Sequence, residues 1–294
     1  MTSPHNQLIF HSMASKPNSL AVDIEIAHTI GFDGLETSGA KIAAFLDAGH
    51  DEQALRDQLA GLLLPGIGFL INLERQGEDR KQMLQDAETL CVLARAAGAK
   101  GIEAITGPLD IRVFEAGAVT RYPHLYRGLI DLPMAEQSER TAANLQAVAD
   151  IAASHGLIVY LEALSWTPLC SMDAQLRVID LCKRDNVRVV VDFWHSYTSG
   201  DTPERIARLD KDLIYGVHFC DSLPYNDGIP NEPVLRDVPT GKGILDLQSW
   251  VDAVKSTGYS GWWSCELFCR RQHQANSFLV ARELKTLMEK LILN

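Results

Sequence analysis

The sequence predicts a (β/α)₈ barrel, a single domain running over residues 1–294. Three observations predict it. Short apolar runs alternate with longer amphipathic stretches, strand then helix, eight times over. The chain length of 294 residues suits a barrel that typically needs about 250. The last four apolar runs, over 158–161, 187–191, 213–217 and 261–265, each end in a metal-ligand type of side chain: Glu162, Asp192, His218 and Glu266. A Val- and Ile-rich run of this length reads as a strand buried on both faces of a parallel sheet. A carboxylate or imidazole closing such a strand is costly unless it is paired or ligated. Four of them at the same end of successive strands point to one shared site. A doubly wound open sheet is the runner-up, but no GxGxxG follows the first strand, so a dinucleotide site has no support.

The elements follow in order. Residues 8–13 are the first strand candidate, and 20–30 a helix capped by Asn18 or Ser19. Gly31 and Gly34 turn the chain into a short second strand, 35–37, and a helix is expected over 51–63. Residues 69–72 are the third strand. The amphipathic stretch 80–97 ends at Gly98, a good helix stop. The fourth strand is 101–106, and the helix over 135–155 is closed by Gly156. Helices over 172–183, 203–209, 246–256 and 271–291 follow the last four strands. Successive strand residues point to opposite faces. Glu162 therefore shares a face with Tyr160, and Glu266 with Ser264 and Trp262.

Composition narrows the function. The formal net charge is -11 and Lys and Arg form no cluster, which argues against nucleic acid or an anionic membrane as partner. No apolar run approaches the roughly 20 residues that span a bilayer. The stretch from Met1 to Gln7 is polar and lacks the plan of a signal peptide, so a cytoplasmic location is expected. Six cysteines fit no CxxC zinc framework and read as reduced thiols. Cys269 lies just past the fourth ligand strand and is considered as a site thiol.

Two connections are long, 107–134 and 221–245. Both follow strands and so belong at the carboxyl-end face, where barrel active sites lie. Loops of that length are usually lids or binding loops. Tyr122, His124, Tyr126 and Arg127 of the first are candidate substrate contacts.

Two Glu, one Asp and one His form a hard, oxygen-rich ligand set. It favours one divalent cation, Mn²⁺ first, with Mg²⁺, Co²⁺ or Zn²⁺ as alternatives. Such an ion would hold adjacent oxygens of a keto sugar or keto polyol and polarise the carbonyl. Glu162 and Glu266, from the first and last strands of the set, then suit proton abstraction and return. His195, three residues past Asp192, is expected at the same mouth as a third catalytic group. Glu36 and His11 close earlier strands and are candidate substrate contacts. So are Lys242 and Arg270, because barrels often hold phosphate after strands seven and eight. Trp166, Trp194 and Phe268 are candidate walls for a sugar face. Self-association into a homo-oligomer stays open.

The residues resemble a family. Leu161-Glu162, Val191-Asp192-Phe193-Trp194-His195, Val217-His218-Phe219-Cys220-Asp221, the run Gly241-Lys242-Gly243-Ile244-Leu245-Asp246 and Gly261-Trp262-Trp263-Ser264-Cys265-Glu266 are similar to the motifs of the xylose-isomerase-like TIM-barrel superfamily. Gly34-Leu35-Glu36 resembles its second strand. The resemblance implies a sugar or sugar phosphate isomerase or epimerase acting through an enediolate. It implies one cation on Glu162, Asp192, His218 and Glu266, with the two Glu as acid/base pair. The same superfamily includes inosose and dehydroshikimate dehydratases, so a lyase acting on a keto polyol, a keto-glycoside or a dehydroshikimate-like cyclic ketone is the alternative. A non-catalytic sugar-binding protein is a third reading. Ala163-Leu164-Ser165 after Glu162 departs from the Asn-Arg of the ketose 3-epimerases and from the His of the dehydroshikimate dehydratases. The resemblance therefore implies the chemistry and not the particular sugar.

Overall fold

A computed structural model describes residues 6–294; residues 1–5, on which most of the leader argument rests, lie outside the described residues. Eight parallel strands close into a barrel: β1 Gln7–His11, β2 Gly34–Ser38, β3 Ile67–Leu70, β4 Gly101–Ile105, β5 Ile158–Glu162, β6 Val187–Asp192, β7 Ile214–Phe219 and β8 Trp262–Cys265. Each strand pairs with the next, and β8 pairs with β1.

The long helices follow their sequence signals. Leu20–Ile30 stops at Gly31, whose φ of 79° supplies the left-handed C-cap. Gly77–Ala97 stops in the same way at Gly98. Two helices of more than a single turn escape the sequence pattern, Gly39–Asp47 and Phe193–Ser199, as do the single turns Ala118–Arg121 and Glu232–Leu235 inside the long connections. Phe193–Ser199 is a single short stretch rich in aromatic residues that follows β6 without a loop. The Asp192 side chain accepts from the backbone N of His195 and so caps it. The helix expected over 271–291 is broken into Arg270–His273 and Ser277–Met288, with Asn276 capping the second piece.

Two cores result. The larger lies between the sheet and the helices and includes Phe10, Leu161, Val189, Val217 and Trp263. The smaller fills the barrel with Ile9, Tyr160, Val190 and Trp262. Tyr160 and Trp262 thus lie inside, as the alternation from Glu162 and Glu266 required. The Trp262 ring fits because β7 has no side chain at Gly216: a Cβ there would stand 1.9 Å from the ring. No described helix is long and apolar enough to cross a membrane. All six cysteines are free thiols, and Cys269 is buried in the larger core rather than in the site.

Candidate metal centre

Strand register delivers the four ligand candidates to one level. Asp192 on β6 is opposite His218 on β7, and His218 is opposite Ser264 on β8, two residues before Glu266. Glu162, Asp192, His218 and Glu266 each offer an atom, and the four atoms lie within 4.8 Å of one another. Three buried atoms of this quartet, Oε1 of Glu162, Oδ2 of Asp192 and Nδ1 of His218, have no hydrogen-bond partner. Buried polar atoms are rarely left so, and a cation held by hard oxygen and imidazole donors would satisfy all three. The donor set fits a divalent ion.

The next layer orients the ligands. Nε2 of His218 lies 3.1 Å from each oxygen of Glu36, so its N–H donates there and Nδ1 is turned to the quartet. Glu36 also accepts from the Tyr160 hydroxyl at 3.0 Å and from Ser264 Oγ at 2.7 Å. Burial alone would raise the Glu36 carboxyl; the His218 and His11 imidazoles carry it down to about 2. His11, Glu36 and His218 also converge, but Glu36 is so fully engaged by donors that the trio reads as support. Burial lowers the His11 imidazole, and Met13 N donates to its Nδ1.

His195 has a fixed tautomer. The backbone N of Ser165 donates to its Nδ1 at 3.1 Å, so the ring proton sits on Nε2. That atom lies 3.6 Å from Glu162 and 4.0 Å from Glu232. Burial lowers the imidazole to about 4, which makes His195 a neutral hydrogen-bond donor rather than a cation at neutral pH. Glu162 is held ionised: burial opposes this, but His218 outweighs it. Asp192 is raised to about 7 by burial, despite Arg236 beside it.

Three residues absent from the sequence reading enter here, Arg236, Glu232 and Glu103. Arg236, in the long connection after β7, is buried. Its guanidinium donates to Glu266 Oε2 at 2.9 Å, to the Glu266 carbonyl at 3.0 Å and to Glu232 at 3.0 Å, and lies 3.7 Å from Asp192. The ring of Phe268 lies under it at 4.0 Å. Glu103 is buried on β4, opposite Tyr160 in register. Burial, then the charge of Glu162, hold its carboxyl well above the usual carboxylate range. Gly68 leaves room for it: a Cβ there would be 2.7 Å from Glu103 Oε2.

A cavity of about 600 Å³ opens on this cluster. Glu162, Glu266, His195, His11, Glu36, Trp166 and Phe268 line it, with Glu103 and Glu232. Asp192 and His218 lie behind its wall, 2% and 0% exposed.

Several expected contacts are corrected. Trp194 is fully buried against Trp166 and Arg236 and does not reach the cavity. Lys242 is exposed and lies off the wall, because its loop is folded around Asp221. That carboxylate accepts from Gly241 N at 3.0 Å and Gly243 N at 2.7 Å, and Lys242 between them is exposed. Arg270 is spent on Asp237 at 2.7 Å, outside the cavity. From the connection over 107–134 the wall takes Leu109, Asp110 and Ile111. Tyr122, His124, Tyr126 and Arg127 are not on it; Arg127, for one, pairs with Asp131.

Comparison with known proteins bears on the family and the fold. A family model described as a xylose isomerase-like TIM barrel matches residues 24–290. An inosose isomerase of Bacillus velezensis is 22% identical over 271 residues, covering 89% of this chain and 88% of that one. Among solved structures, the IOLI protein with a bound zinc atom superposes with a TM-score of 0.83 at 19% identity, over 97% of this chain and 98% of that one. The 3-keto-D-glucoside 4-epimerase YcjR of E. coli does so with a TM-score of 0.72 at 18% identity, over 97% and 99%. At such identities the structural likeness speaks for the fold.

Proposed function

Since the chain belongs to the xylose isomerase-like TIM barrel family, we propose that it is a divalent-metal-dependent isomerase or epimerase of a keto sugar or keto polyol. The observation that carries this reading is the division of the quartet. Glu162 and Glu266 face the cavity from β5 and from the end of β8, while Asp192 and His218 stand behind it. Ligands that only held an ion would not need two carboxylates on the substrate side.

A bound cation would supply Lewis-acid polarisation of the carbonyl. The protein groups do the rest. One of Glu162 and Glu266 removes the proton α to the carbonyl, giving an enediolate. The other returns a proton to carbon, giving the isomer or epimer. Arg236 holds the Glu266 carboxylate by a 2.9 Å hydrogen bond, which fixes the direction of its free oxygen. His195 presents its Nε2–H to the cavity as a donor for a substrate oxygen. Trp166 and Phe268 line the same cavity and give the substrate apolar faces to pack against.

One observation favours a second outcome of the same first step. Burial raises Glu232, on the cavity wall, to about 7. A carboxyl half protonated near neutral pH can give its proton to a departing hydroxyl or alkoxide, and β-elimination then replaces return of the proton to carbon. The isomerase reading is placed first because it needs only the pair that flanks the substrate.

Solvent deuterium exchange at the α carbon tests the shared step, run with Mn²⁺ over a panel of keto sugars and keto polyols. Exchange into any member supports proton abstraction, and loss of a neighbouring group from the same substrate would assign the lyase branch. A panel with no exchange in the presence of metal overturns the reading.

A further inference from the structure

The cavity has two unlike ends. Its floor is crowded with acidic and imidazole groups, Glu36, Glu103, Glu162, Glu266, His11 and His195. Its outer part is apolar. Phe69, at the end of β3, is 53% exposed, and Leu109, from the connection after β4, is 40% exposed. Ile111 and Met13 continue the same wall. Of the charged groups at this end, Lys41 is held by Asp23 at 2.6 Å and Asp110 by Arg112 at 2.9 Å. Lys16 is exposed to solvent.

A bare keto sugar is ill matched to such a space. Its hydroxyls would be complemented at the floor, but any that reached Phe69 and Leu109 would lose water without gaining a partner, which is costly. The volume of about 600 Å³ falls within the range of sites that enclose drug-sized ligands. A molecule with one oxygen-rich end and one flat apolar end satisfies both halves at once. Large apolar side chains left open on a cavity wall offer contact area that such a ligand uses.

We propose that the outer half of the cavity, between Phe69, Leu109 and Ile111, is a subsite for an aromatic substituent, so that the substrate is an aryl glycoside of a keto sugar. This rests on the reading of the floor as the site of proton abstraction. The sugar ring sits at Glu162 and Glu266. The aryl group lies against Phe69 and Leu109, where ring stacking and apolar burial add to affinity without touching the reacting carbon.

The test separates the subsite from the chemistry. Phenyl and methyl β-D-glucopyranoside lack a ketone and cannot react, so their dissociation constants on the Mn²⁺-loaded protein read the subsite alone. The phenyl compound is expected to bind about tenfold more tightly, the order of magnitude for burying part of one ring. The double variant Phe69→Ser, Leu109→Ser should bring the ratio of the two constants toward one. Val92→Ser, on an exposed apolar residue outside the cavity, should leave the ratio alone. Equal affinities in the wild type, or a ratio that survives the double variant, overturn the proposal. So does light scattering that shows a dimer which Phe69→Ser dissociates, since the apolar wall would then belong to an interface between copies. Deuterium exchange with the corresponding 3-keto-glucosides reports the chemistry separately. A phenyl preference with no exchange keeps the subsite and removes the catalytic reading; exchange with no phenyl preference does the reverse.

Discussion

The Nε2–H of His218 points at Glu36, with both carboxylate oxygens 3.1 Å away, while Nδ1 of the same ring faces Glu162 at 3.7 Å. One imidazole thus joins a carboxylate behind it to a candidate ligand in front. The pair fixes the ring orientation and makes Nδ1 a better donor to a cation. Replacing Glu36 by Gln keeps the shape and removes the charge. The expected cost is about 10–100-fold in Mn²⁺ affinity, measured by titration against a fluorescent chelator. Affinity equal to wild type would reduce Glu36 to a packing role.

Proton release follows from the same geometry. Burial works against protonation of His218, but Glu36 and then Glu162 outweigh it and hold the imidazole charged well above its ordinary range. A cation on Nδ1 must displace that proton. Asp192, raised to about 7, is ionised at pH 8 and mostly protonated at pH 6. Metal binding should therefore release about one proton at pH 8 and closer to two at pH 6. Apparent affinity should fall as pH falls through 7. Calorimetry in buffers of different ionisation enthalpy counts the protons, and a count near zero at both pH values would contradict this ligand set.

Glu266→Gln is expected to cost about 10²–10⁴-fold in exchange rate, the usual range for a general base. Metal content, measured on the same sample, separates loss of the base from loss of a ligand. Unchanged exchange with the metal retained would remove Glu266 from the acid/base pair.

The fold and the quartet were legible in the sequence for one physical reason. A parallel strand buried on both faces tolerates a carboxylate only at its end, so Glu162, Asp192, His218 and Glu266 stand out against Val and Ile. Glu103 carried a fainter form of the same signal, a charge in the middle of the apolar run of β4. Arg236 carried none: it is one Arg in a connection of mixed composition, and its burial is set by Glu232, Glu266 and Phe268 in three dimensions. Lys242 and Arg270 misled for the opposite reason, because their distance along the chain from His218 and Glu266 says nothing of Asp221 and Asp237, which decide where they point. The helix Phe193–Ser199 is hidden by β-type and aromatic residues, and its cap, Asp192, stands out in the sequence for another role.

The β7 connection offers a structural check. A Cβ on Gly243 would lie 2.2 Å from Asp221 Oδ1 and 2.4 Å from the Ser222 carbonyl. Gly243→Ala should therefore push the loop off Asp221 and release the backbone N–H bonds that it accepts. Overpacking of this kind costs about 1–3 kcal/mol, measurable by urea unfolding. Because Glu232 and Arg236 lie in the same connection, exchange activity should fall with stability, and a variant as stable and active as wild type would show that Asp221 does not hold the loop.

Arg236 gives the last prediction. Its guanidinium is buried among Asp192, Glu232 and Glu266, so it offsets negative charge that the site would otherwise have to bear alone. Removing one member of a buried charge cluster typically costs about 3–5 kcal/mol, because its partners are left uncompensated. Arg236→Met retains the length and apolar contact with Phe268 while deleting the charge. The variant should unfold at a markedly lower temperature without metal. A divalent cation brings positive charge to the same carboxylates, so Mn²⁺ should raise the melting temperature of Arg236→Met by more than it raises that of wild type. Equal shifts in the two proteins would mean that the guanidinium and the ion do not share the charge of Asp192 and Glu266.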